Sequence, residues 1–246
     1  MAKIPKWQYD EFKLCGIDFS DPAEAKLYDK RHRKMRDFKQ ETQNIIDLLG
    51  ISNKDTVIDF GCGTGAFTLN AAEKCRKIYA VDVSKAMLDF CKNKCQKANI
   101  TNVEFCRAGF LTYEHKGKPV DAIITKLVLH HLPDFWKLIA LKRLAAMLKC
   151  DGRLYLFDIV FSFNISDYKK TVQRWIKTAV EKNGCDSRRR IEIHMSREFS
   201  TPDWIMEGLL KKAGFKIKKS DYKDGFFATY LCSKTDGKIK CLKKTI

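Results

Sequence analysis

The strongest constraint on the fold is the run Val57-Ile58-Asp59-Phe60-Gly61-Cys62-Gly63-Thr64-Gly65, in which a short apolar stretch passes directly into three alternating glycines. An apolar run of this length, bounded by a turn signal, reads as a strand buried on both faces. The glycines permit backbone conformations closed to other residues and remove the β-carbons that would hold a ligand away from the main chain. If a helix follows, its first N–H groups are unpaired and face that ligand. A plain glycine turn has the same letters, and Gly61-x-Gly63-x-x-Ala66 also satisfies a relaxed dinucleotide fingerprint. The run therefore demands a strand–turn–helix unit but leaves the ligand open.

The surrounding sequence extends the unit into an alternation. Strands are expected at 56–60, 77–82, 103–106, 122–125 and 153–159, with helices over 64–74, 84–98 and 134–149. Ser84 stands at an N-cap position and Asp151-Gly152 marks a turn. A further helix is expected from Pro202 to Lys212, closed by Gly214, before two last strands at 215–218 and 226–232. The fold class that follows is α/β: a Rossmann-like sheet of seven strands, mostly parallel with the last antiparallel, and helices on both faces.

Two carboxylates narrow the ligand. In a dinucleotide site, pyrophosphate fills the glycine loop and an acid at Asp59 would repel it, whereas the ammonium of an amino-acid moiety favours it. Asp82 closes the second strand, 23 residues after Asp59, where a carboxylate can accept hydrogen bonds from ribose hydroxyls.

Taken together these motifs resemble the class I S-adenosylmethionine-dependent methyltransferases over roughly residues 55–232. Asp59–Gly65 looks like the family's donor loop and Val81-Asp82-Val83-Ser84 like its ribose motif. Leu127-Val128-Leu129-His130-His131-Leu132-Pro133-Asp134 is similar to the stretch after the fourth strand in small-molecule enzymes of ubiquinone and menaquinone biosynthesis, and Ala213-Gly214-Phe215 to the end of their penultimate helix. The resemblance implies S-adenosylmethionine as cofactor and S-adenosylhomocysteine as product. It implies a donor site of Asp59, Gly61, Cys62, Gly63, Thr64, Gly65, Asp82, Val83, Met87, Gly109, Phe110 and Lys126, with Tyr28 reaching over from the N-terminal segment. Many relatives carry an acid after the third strand, but Ala108-Gly109-Phe110 stands there, so adenine contact is expected from backbone groups and the Phe110 ring.

Methyl transfer from a sulfonium is an in-line displacement that alignment and desolvation can largely accelerate, so a general base is optional. His131 is the catalytic candidate, as a histidine of nearly unperturbed pKa, and the alternative is that one of His130 and His131 packs or caps the next helix. No metal site is expected, because C-x-x-C spacing is absent; Cys91 and Cys95 share a helical face but read as small hydrophobes.

The domain reading is an N-terminal helical cap over 1–50, a methyltransferase domain over 51–235 with a helical lid at 160–200, and a frayed basic tail over 236–246. Aromatic residues of the two covering segments, among them Trp7, Tyr9, Tyr168 and Trp175, either wall an apolar acceptor pocket or pack in the core. No secretory leader or membrane span is expected, so the ten cysteines read as reduced thiols of a cytoplasmic protein. The net charge of +17 suits nucleic acid, acidic metabolites or a solvated lysine-rich surface. Its basic residues are dispersed, so a small-molecule acceptor is the leading reading. An RNA methyltransferase, a non-catalytic donor-binding protein on the same fold and a thiol or metalloid methylase are the rivals. Oligomeric state and acceptor atom are left open.

Overall fold

The computed structural model describes residues 5–13, 15–23, 25, 26, 28 and 37–235. The expected basic tail and the run Lys30–Arg33 lie outside the described residues, as does part of the expected N-terminal cap.

Helix α1 (Phe38–Leu49) begins where the Asp37 carboxylate accepts the N–H groups of Lys39 and Gln40, and ends at Gly50 in the left-handed region. It leads into β1 (Thr56–Phe60), buried at every position as a central parallel strand should be. The alternation continues through α2 (Ala66–Ala71), β2 (Lys77–Asp82), α3 (Lys85–Lys97), β3 (Val103–Arg107), β4 (Val120–Lys126), α4 (Asp134–Met147) and β5 (Leu148–Phe161). Helices α5 (Tyr168–Asn183) and α6 (Asp186–Arg197) follow, then α7 (Asp203–Lys212), β6 (Phe215–Lys223) and β7 (Phe227–Lys234).

The strands run in the order β3-β2-β1-β4-β5-β7-β6, with a two-residue bridge at Thr201–Pro202 beside β5. Pairs from β3 to β5 are parallel, and β7 is antiparallel to both its neighbours. One face packs Ile58, Phe60 and Ile123 against Leu141 and Leu144 of α4 and Met206 and Leu210 of α7. The other packs Val57, Ile78 and Ile124 against Ile45, Ile46 and Leu49 of α1 and Phe67 of α2. Each such aliphatic side chain contributes about 1.5–3 kcal/mol by leaving water.

The helix after β1 starts at Ala66, two residues later than expected, because Gly65 at φ 86° still belongs to the loop. Strand β5 starts before the expected turn, which it absorbs as an irregularity at Asp151, φ 57°. The segment 160–200 holds two helices where only the first was legible. Helix α6 carries six charged residues in Asp186–Arg197 and is buried only at Ile191 and His194. The polypeptide leaves the β3 edge and crosses to β4 on the far side of β1. The crevice at the carboxyl ends of β1 and β4 is therefore the switch point where an open α/β sheet takes its ligand.

Candidate active site

Three glycines build the loop over this crevice, all with positive φ. Their surroundings differ. A β-carbon at Gly61 would meet Val128 Cγ2 at 2.1 Å, and one at Gly65 would meet Leu69 Cδ1 at 2.4 Å and Cys91 Sγ at 2.5 Å. At Gly63 it would meet nothing within 4 Å. Gly61 and Gly65 are thus glycines of packing, whereas Gly63 borders open space.

That space is a cavity open to solvent. Gly61 and Gly63 form one side of it, with Asp82, Val83 and Met87 from β2 and α3. Gly109 and Phe110 stand after β3, Lys126 ends β4 with Leu127 and His131 beyond it, and Tyr28 and Phe19 close it from the N-terminal segment. Asp82 is held by its own loop: Oδ2 accepts the Gly63 N–H at 2.9 Å and Oδ1 the Ser84 N–H at 2.8 Å. Its burial raises the carboxyl pKa, opposed by these backbone donors. Ser84 also caps α3 by accepting the Met87 N–H, and its hydroxyl donates to the Phe19 carbonyl at 2.6 Å, pinning the N-terminal segment beside Asp82.

Asp59, Cys62, Thr64 and Gly65, expected among the donor-contacting residues, do not line the cavity. Successive strand residues point to opposite faces, so Phe60 faces the cavity while Asp59 turns toward α2. There the Asp59 carboxylate accepts the Thr68 hydroxyl at 2.6 Å, and burial pushes its pKa up to about 6. Lys126, on the cavity wall, opposes that rise by its charge. Cys62 packs against Ala80 and Leu88, and Thr64 is buried.

Among the wall residues that the sequence reading missed, one is charged and buried. Glu11, buried 100 residues before the strand-end loop it joins, lines the cavity beside Gly109. Its carboxylate accepts the Leu111 N–H at 3.0 Å and the Thr112 hydroxyl at 2.6 Å. An acid was sought directly after β3; this one comes from the N-terminal segment, where no local motif marks it. A β-carbon on Gly109 would lie 2.4 Å from the Glu11 carboxylate, so the absence of a side chain at that position makes room for the acid.

A second cavity adjoins the first and shares Phe19, Tyr28, Leu127 and His131 with it. Its far wall is Trp175 of α5 and Arg190, Ile191 and His194 of α6, with Glu198 and Phe227. The insertion thus stands on the carboxyl side of the sheet. Trp175 stacks on Phe226 with ring centroids 4.2 Å apart. Tyr168, by contrast, is half exposed and lines neither cavity, and Trp7 is exposed against Trp136.

The histidine pair divides as one of the two sequence alternatives has it. His130 packs: its Nδ1 and its backbone N–H both bond the buried Asp158 carboxylate, and Nε2 stands 3.3 Å from Glu198 Oε2. His131 faces both cavities, with Cys15 Sγ 3.8 Å from Nδ1. Its expected near-normal pKa is corrected by the structure, since burial, reinforced by His130, lowers it to about 4. His131 is therefore neutral at physiological pH and a weak proton acceptor.

The crevice geometry suits S-adenosylmethionine: the space above Gly63 would be filled by any side chain, and Asp82 retains lone pairs beyond its two backbone donors.

Among known proteins, residues 57–152 match the family described as Methyltransferase domain. A carboxy-S-adenosyl-L-methionine synthase of Nautilia profundicola is 27% identical over 228 residues, 89% of this chain and 94% of its own length. An uncharacterized methyltransferase of Schizosaccharomyces pombe is 28% identical over 112 residues, 43% of this chain and 39% of its own length. The crystal structure of a SAM-dependent methyltransferase from Aquifex aeolicus shares the fold with a TM-score of 0.63 at 18% identity, covering 87% of this chain and 99% of that one. The donor-loop strand and the strand ends at the switch point fall within the matched residues, so residues 57–152 carry a methyltransferase domain, and the fold around it is the one seen in S-adenosylmethionine-dependent methyltransferases.

Proposed function

We propose that the enzyme methylates a small molecule held in the second cavity, between the donor cavity and helices α5 and α6. The observation that carries this reading is the shared wall: Phe19, Tyr28, Leu127 and His131 belong to both cavities, so two ligands would meet across them. In the second cavity apolar Ile17, Trp175, Ile191 and Phe227 set the shape, and Arg190, His131, His194 and Glu198 supply orientation, the mix of a small-molecule site. No described helix is long and apolar enough to cross a membrane.

When bound, S-adenosylmethionine supplies an activated methyl group on a positively charged sulfur. The protein's share is placement and dryness. Asp82 is assigned to the ribose hydroxyls, Gly63 to close backbone approach, and Glu11 to the adenine amino group in place of the acid missing after β3. The apolar walls Val83, Met87 and Phe110 would sandwich the base. Asp59 acts from behind Lys126 by its charge and by fixing the start of α2 through Thr68. Neutral His131 orients the acceptor heteroatom.

The test is to incubate the purified chain with methyl-labelled donor and a cell extract, then fractionate by size. Label in the low-molecular-weight fraction is expected. Label confined to RNA would transfer the assignment to the reading that the +17 charge motivates, and tight donor binding without label anywhere would favour a non-catalytic protein.

A further inference from the structure

Away from the donor loop, the adjacent His130 and His131 meet Glu198, which lies far along the sequence, on the wall of the second cavity. One ligand atom each from His130, His131 and Glu198 lies within 4.8 Å of the others. We propose that these three residues form a site for a divalent transition metal of the zinc type, open to the second cavity.

Two imidazoles and one carboxylate are the donor set that borderline divalent ions prefer, and three protein ligands leave a position for water or an acceptor heteroatom. Spacing agrees with the donor set. His130 Nε2 and Glu198 Oε2 stand 3.3 Å apart, close to the edge of about 3.4 Å expected of a tetrahedron whose metal bonds are about 2.1 Å. The residues behind the ligands give independent support. Asp158, buried, bonds His130 Nδ1 and so fixes the tautomer in which Nε2 offers its lone pair toward Glu198. His194 Nδ1 bonds Glu198 Oε2 while its Nε2 is held by the Ser200 hydroxyl at 2.8 Å, which clamps the carboxylate. A carboxylate behind a ligating histidine and a hydrogen-bonded ligating carboxylate are what metal centres use to orient their ligands. Ligand atoms and cavity coincide as well, since His130, His131 and Glu198 all line the second cavity.

Occupancy by metal is independent of the proposed acceptor; use of the metal to hold the acceptor rests on that reading. The full chain, stripped with a chelator and checked for free thiols, would be titrated with Co²⁺ and then with Zn²⁺. One equivalent of Co²⁺ should give visible ligand-field bands without a thiolate charge-transfer band, and Zn²⁺ should abolish them. Glu198→Gln and His131→Asn should weaken Co²⁺ binding at least about 100-fold, and Asp158→Asn about 10–100-fold. S-adenosylhomocysteine affinity measured without metal should not change in Glu198→Gln beyond twofold, since Glu198 lines the second cavity and not the donor cavity, which shows that the variant is folded and that the donor reading stands separately. Absence of ligand-field bands, unaltered Co²⁺ binding in both Glu198→Gln and His131→Asn, or bands of thiolate type would each overturn the site. In the first case the cluster is a proton-shared network only.

Discussion

Substitution of the three loop glycines by alanine should separate folding from donor binding. All three have positive φ, a conformation that costs a non-glycine residue about 1–2 kcal/mol. At Gly63 that is the whole cost, because a β-carbon meets no protein atom within 4 Å. For a chain of this size about 2–4 °C is lost per kcal/mol, so Gly63→Ala should melt about 2–8 °C lower. At Gly61 and Gly65 the new carbon would sit 2.1 Å from Val128 and 2.4 Å from Leu69, and such overpacking adds about 1–3 kcal/mol. These two variants should therefore melt a further several degrees lower. Donor affinity should rank in the opposite sense. The methyl of Gly63→Ala projects into the donor cavity and should weaken S-adenosylhomocysteine binding by at least tenfold in calorimetry at a temperature where the variant is folded. If Gly63→Ala binds donor normally, or melts as low as Gly61→Ala, the space above Gly63 is not the ligand's and the argument from the open cradle is refuted.

Other outcomes follow from the same geometry. Because burial raises the Asp59 carboxyl from 3.8 to about 6, the folded state holds this proton more tightly than the unfolded chain; its stabilising effect is full below pH 3.8 and is lost as pH rises to 6. The loss amounts to about 3 kcal/mol, so the stability difference between wild type and Asp59→Asn should shift against wild type over that window in urea titrations, and a flat difference would contradict the burial argument. Glu11→Gln keeps the size of the side chain but loses its charge, and should weaken donor binding by about 1.5–3 kcal/mol with little change for a donor analogue lacking the adenine amino group; equal effects on both would remove Glu11 from adenine recognition. Trp175→Ala should raise the Michaelis constant for the acceptor while leaving donor affinity within twofold, whereas Tyr168→Ala, half exposed and outside both cavities, should change stability by no more than about 0.5 kcal/mol. A matching effect of the two substitutions on acceptor kinetics would place the acceptor elsewhere.

The donor half of the enzyme was legible because its signals are local. Strand, glycines, helix cap and strand-end acid occur within Val57–Ser84, and each is dictated by backbone sterics or an unpaired N–H that lies a few residues away. Even there, side-chain direction escaped the reading. Asp59 and Phe60 are neighbours, and only the packing of β1 between two layers of helices decides that Phe60 meets the cavity and Asp59 meets Thr68. The His130–His131 pair shows the same limit: two adjacent histidines read alike, yet burial that lowers both pKa values is outweighed at His130 by the Asp158 carboxylate, which raises its pKa, while His131 is left depressed.

By itself, then, the amino-acid sequence determined the α/β alternation, the glycine loop and the strand-end acid, since periodicity and turn chemistry act over fewer than about thirty residues, and the methyl donor followed from the family those motifs resemble. Tertiary structure alone decided what surrounds the reacting atoms. Glu11 reaches Leu111 across 100 positions, and Glu198 comes to the side of His130 only because α5 and α6 fold back over the carboxyl ends of the strands. Contacts of that sequence separation leave no periodic or motif trace, because each depends on where a whole helix or loop is carried by the burial of its other face, not on the residues beside it.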